Sequence, residues 1–86
     1  MFKVRWKQSA LNQLIAMWNN ADSAMRRRIT AATHQIEQGL QRAADTVGES
    51  RSGGRRVWFV SPLGVRYHVD MTTQVVRVLH VWRTRR

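Results

Sequence analysis

The sequence predicts an α+β domain of two layers, in the order β-α-α-β-β-β, with a helical hairpin packed on one face of an antiparallel sheet. Three observations carry this. Apolar and basic residues alternate with period two at the N-terminus. Apolar residues recur at spacings of three and four through residues 11–43. Three strand-like runs separated by short turns fill the last third. Eighty-six residues leave room for one core, so residues 1–86 read as one domain.

Phe2, Val4 and Trp6 alternate with Lys3, Arg5 and Lys7, which gives a strand with one buried and one basic face. Ser9 is placed to cap the first helix. Behind it Leu11, Leu14, Ile15 and Trp18 form an apolar stripe, and Asn19-Asn20 ends the helix. Asp22 caps the second helix, its carboxylate at the positive end of the helix dipole. Met25, Ile29, Ala32, Ile36, Leu40 and Ala43 supply the buried stripe, and the short connection makes the two helices an antiparallel hairpin. Arg26-Arg27-Arg28 fan over about 200° of helix surface, so they read as a solvated face or as a contact to RNA or a carboxylate partner.

Residues 45–54 hold three glycines and no apolar pattern, and read as a loop. The strand-like runs are 56–60, 65–70 and 74–82, joined through Ser61-Pro62-Leu63-Gly64 and Met71-Thr72-Thr73 as a meander. In the middle run Val65, Tyr67 and Val69 should pack on the helices, leaving Arg66, His68 and Asp70 on the open face. In the run before it, Val57 and Phe59 are expected inward, with Arg56, Trp58 and Val60 outward. In the last run Arg77, Leu79, Val81 and Arg83 share one face and Val76, Val78, His80 and Trp82 the other. Neither set is cleanly polar, as in a central strand buried on both sides, whose end can still present His80, Trp82 or Arg83.

Charge sets the partners. Fifteen Lys and Arg against five Asp and Glu give +10, and only Lys3 and Lys7 of the fifteen are lysines. Such a domain attracts nucleic acid, acidic proteins or anionic membranes, and guanidinium grips phosphate or carboxylate at two points. Arg56, Arg66, His68 and His80, with Trp58 or Trp82 as stacking surfaces, form a combination that binds single-stranded nucleic acid. The plainer reading makes both tryptophans core and His80 a hydrogen-bonded core residue. Arg66, in mid-strand, calls for a partner or a function.

Several chemistries are unsupported. There is no GxSxG, P-loop or GxGxxG, His34, His68 and His80 are too scattered for a metal triad, and no two carboxylates pair, so neither metal nor cofactor is expected. The absence of cysteine favours a reducing compartment. No apolar run reaches the ~18 residues of a membrane span, so the chain is expected in the cytoplasm and away from membranes. Metal-free RNA cleavage needs only the substrate's 2′-hydroxyl, a proton acceptor and donor, and cations on the phosphorane.

The element order, the segment GESRSGGRRVWFVSPLGVRYHVD and the following QVVRVLHVWRTRR resemble the RelE/ParE superfamily of bacterial type II toxins over essentially the whole chain. That resemblance implies a toxin neutralised by an acidic antitoxin. RelE-like members are metal-independent endoribonucleases, many cutting mRNA in the ribosomal A site, whereas ParE-like members poison DNA gyrase. Carried over by position, Arg66 resembles the arginine that RelE-like enzymes place on the scissile phosphate. Arg56 falls near their basic pair, and His80 with Arg83 and Arg85 lies where they keep late catalytic residues. The set implied as catalytic is Arg66, His80 and Arg56, with Arg55, His68, Arg83 and Arg85 on nucleic acid. The chain lacks the lysine-rich strand common in RelE-like enzymes. The expected function is a ribosome-dependent mRNA endoribonuclease, with a gyrase inhibitor or a non-toxic nucleic-acid-binding module as alternatives.

Overall fold

In a computed structural model, described here for residues 1–84, two helices pack on one face of a five-stranded sheet. The elements are β1 (Lys3–Trp6), α1 (Gln8–Asn19), α2 (Ser23–Ala43), β2 (Glu49–Ser50), a 3-10 turn (Ser52–Gly54), β3 (Arg55–Val60), β4 (Leu63–Asp70) and β5 (Val75–Arg83). The strand order is β1-β5-β4-β3-β2. The expected antiparallel sheet is in fact mixed, because β1 runs parallel to β5. Alternation marks a strand but encodes neither its neighbour nor its direction. No helix among the described residues is long and apolar enough to cross a membrane.

The core is built from Ile29, Ile36 and Leu40 of α2 against Leu63, Val65 and Tyr67 of β4 and Val76, Val78 and Val81 of β5. The α2 stripe is the expected one from Met25 to Leu40, with Ala44 buried at its end in place of Ala43, and Asp22 caps the helix by accepting the Met25 N–H at 2.8 Å. For α1 the expectation needs two corrections. Lys7, not Ser9, is the N-cap, and no side chain caps it. The Lys7 N–H donates to the Val78 carbonyl and its carbonyl accepts the Leu11 N–H, so pairing with β5 fixes where the helix begins. The buried face is also rotated: Ala10 is fully enclosed and Leu14 and Met17 are half-buried, while Ile15 and Trp18 stay exposed. Arg26 stacks 4.4 Å over the Trp18 ring and donates to the Trp18 and Asn19 carbonyls, closing the C-terminus of α1. Arg28 lies 3.4 Å from the Ser61 hydroxyl.

The expected loop 45–54 contains β2 and the 3-10 turn. Gly48 is required there: its φ is 70°, and a Cβ would stand 2.4 Å from the Val57 carbonyl oxygen. Tyr67 ties the loop down from below, its buried hydroxyl donating to the Val47 carbonyl at 2.8 Å.

Candidate functional site on the open sheet face

The sheet face away from the helices carries the site, and register decides its membership. Arg55 opposes His68, Val57 opposes Arg66 and Phe59 opposes Gly64. Arg55, Val57 and Phe59 therefore share the open face with Arg66 and His68, while Arg56, Trp58 and Val60 face the helices. This inverts the expected faces of β3. Both of its residue sets contain large apolar side chains, so period-two patterning is degenerate, and pairing with the unambiguous β4 chooses between them.

Arg56 is thereby removed from the open face. Its Nε donates to the Val47 carbonyl at 2.9 Å, and its Nη2 reaches the Gly48 and Thr46 carbonyls at 3.2 and 3.4 Å. It holds the loop that follows α2, beside Tyr67, its cross-strand partner. Burial pushes the Tyr67 phenol above its ordinary range, against the opposing pull of the Arg56 guanidinium. Trp58 packs on the core, as the plainer reading had it.

In β5 a bulge reverses the alternation. Tyr67 opposes Val78 but Arg66 opposes His80, leaving Leu79 unpaired. Val76, Val78 and Val81 are thus all buried, and Arg77, His80 and Trp82 all face outward. Gln13 of α1 supports the strand here: its Oε1 accepts the Val81 N–H at 2.9 Å and its Nε2 lies 3.4 Å from His80 Nδ1. His80 is exposed rather than a core histidine. Arg83 pairs with Leu63 on the helix side at the end of the sheet, so it does not join this face; Arg85 lies outside the described residues.

The open face consists of three rows. Arg5, Arg77, His68 and Arg55 align across β1, β5, β4 and β3. His80, Arg66 and Val57 form the next row, and Trp82, Gly64 and Phe59 the third. Neighbours within a row are about 4.8 Å apart and successive rows about 6.7 Å. Trp82 lies across Gly64, where a Cβ would come within 2.5 Å of the indole, and meets Phe59 edge-on at 6.0 Å and His80 at 5.9 Å. Phe59 is 58% exposed. A concavity of about 460 Å³ opens over the first row, bounded also by Asp70 and Leu79. The Asp70 carboxylate accepts the Thr73 and Thr72 N–H groups, which holds its pKa low.

The one ion pair among the described residues joins Arg51 and Glu49, so Arg5, Arg55, Arg66 and Arg77 present unneutralised guanidinium groups. Of the sequence candidates, the structure brings together Arg66, His80, His68 and Arg55. Strand periodicity alone does not mark Arg5, Arg77 or Phe59 as members of this site. Arg5 did stand on the basic face of the first strand, but its neighbour β5 is separated from it by most of the chain. The arrangement can neutralise adjacent phosphates, set an imidazole beside one guanidinium, and stack a base.

The model of one protein family, the ParE toxin of type II toxin–antitoxin systems (parDE), matches residues 4–86. No curated protein matches the chain in sequence. Among solved structures, the fold is similar to the chromosomal ParDE toxin–antitoxin system from P. aeruginosa, with TM-score 0.78 and 18% identity over 98% of this chain and 97% of that one. It is also similar to the toxin–antitoxin complex RelBE2 from Mycobacterium tuberculosis, with TM-score 0.71 and 23% identity over 95% and 96% of the two chains. The isolated E. coli RelE toxin gives TM-score 0.66 and 17% identity, over 100% of this chain and 87% of that one.

Proposed function

The chain belongs to the ParE toxin family of type II toxin–antitoxin systems, and we propose that it exerts its toxicity as a metal-independent endoribonuclease acting on mRNA at the ribosome. The observation that carries this reading is the pairing of exposed His80 directly across from Arg66 on an open cationic face. In this reading the RNA 2′-hydroxyl oxygen attacks the adjacent phosphorus, the P–O5′ bond breaks, and a 2′,3′-cyclic phosphate and a 5′-hydroxyl result. His80 exchanges a proton with the attacking or the leaving oxygen, and Arg66 balances charge on the phosphorane. The Gln13 contact orients the His80 ring. Trp82 and Phe59 offer a surface for a neighbouring base. An acidic antitoxin would cover the unneutralised arginines, and the similar P. aeruginosa and M. tuberculosis structures are of toxin–antitoxin systems.

A second reading, inhibition of DNA gyrase, is favoured by the family-model match to ParE. There the same face would bind protein or DNA without cutting. Induction of the chain in cells separates the two. Primer extension on abundant messages should show breaks at codon boundaries, with plasmid supercoiling preserved. Intact messages together with relaxed plasmids would overturn the nuclease reading in favour of gyrase.

A further inference from the structure

We propose that Arg5, Arg77, Arg55 and His68 form a second phosphate subsite, one backbone step from Arg66, so that a single-stranded polynucleotide lies along β4 and β5 with a base on Trp82 and Phe59. This rests on the polynucleotide reading of the open face and extends it to residues that reading does not use.

The first support is geometric. Four strands contribute one residue each, and the register sets Arg5 against Arg77, Arg77 against His68, and His68 against Arg55. Arg5, Arg55 and Arg77 are exposed, and none of their guanidinium groups makes a hydrogen bond or ion pair among the described residues. Like charges facing each other across paired strands destabilise a sheet, so the Arg5–Arg77 pair costs stability until an anion sits between them. The concavity of about 460 Å³ above the row has space for that anion.

The second support is electrostatic. Asp70 borders the same space, and its Oδ1 accepts the Thr72 and Thr73 N–H groups. The three guanidinium charges of Arg5, Arg77 and Arg55 against this one carboxylate leave the row cationic. The third is spacing. The step from His68 to Arg66 along β4 is two residues, about 6.7 Å, of the order of one repeat of an extended nucleotide backbone. Beyond Arg66 the same direction leads to Trp82 and Phe59, whose ring faces suit bases and have no use for a carboxylate-rich peptide. Cations at one end and aromatic rings at the other favour a polynucleotide over an acidic protein segment.

The test uses the full chain and a short fluorescent 2′-O-methyl RNA, which cannot be cut because its attacking hydroxyl is blocked. Anisotropy is read as salt is raised for the parent, Arg5→Gln, Arg77→Gln and, as a control on α2, Arg27→Gln. Each of the first two should bind about tenfold more weakly at low salt, and each should lower the slope of log affinity against log salt by about one. Arg27→Gln should match the parent, and melting curves should show all variants folded. Parental affinity and slope in both Arg5→Gln and Arg77→Gln would overturn the subsite. So would displacement of the RNA by polyglutamate at equal charge concentration. Cleavage of translated mRNA is scored separately. Cutting with unaltered binding in both variants removes the subsite and keeps the nuclease. Arginine-dependent binding without cutting keeps the subsite and removes the nuclease.

Discussion

Replacing Arg56 with alanine separates the arginine that holds the loop after α2 from the arginines of the open face. The Arg56 guanidinium donates to three loop carbonyls, at 2.9, 3.2 and 3.4 Å. The shortest bond is partly buried and charge-assisted, and bonds of that kind contribute about 2 kcal/mol. The two longer ones are exposed and add at most a few tenths of a kcal/mol. Loss of about 2 kcal/mol in a domain of this size lowers Tm by about 8–16 °C. Arg56→Ala should therefore melt well below the parent while any residual toxicity follows the amount of folded protein. Arg66→Ala should do the opposite. Thermal melts with matched growth-arrest assays read both quantities. An Arg56→Ala protein that melts within about 2 °C of the parent and yet fails to arrest growth would refute the reasoning and put Arg56 back in the site.

In the nuclease reading, Arg66→Ala should lower mRNA cleavage by about two to three orders of magnitude with melting unchanged, since Arg66 is exposed on the open face; parental cleavage by the folded variant would remove it from the mechanism. Gly64→Ala places a methyl 2.5 Å from the Trp82 indole, so the ring must leave its shelf and the Trp82 indole N–H resonance should move; an unshifted resonance would show that the shelf is not as described. Because burial raises the Tyr67 pKa above its ordinary 10.0, the neutral phenol's contribution is complete below that pH and is lost as pH rises through the folded-state value. Tyr67 is the one tyrosine in the chain, so its phenolate absorbance reports this directly, and the titration should move down to the ordinary value on unfolding in urea.

The sequence by itself determined what depends on local pattern. The element order, the Asp22 cap, the α2 stripe and the two faces of β4 were all legible, because each rests on one periodicity with only one sensible burial. Val65 and Tyr67 had to be inside, so Arg66 and His68 had to be outside. Tertiary structure alone decided three things. The faces of β3 were degenerate, with Val57 and Phe59 on one side and Trp58 and Val60 on the other, and a one-residue choice of register turned Arg56 from the site into the scaffold. The bulge at Leu79 broke the alternation of β5, and it is this unpaired residue that allows Val81 to be buried while His80 stands beside Arg66. The parallel pairing of β1 with β5 brought Arg5 to Arg77 from the far end of the chain. Each of these is a long-range pairing, and strand periodicity constrains which residues share a face without specifying which strand lies alongside, or in what register.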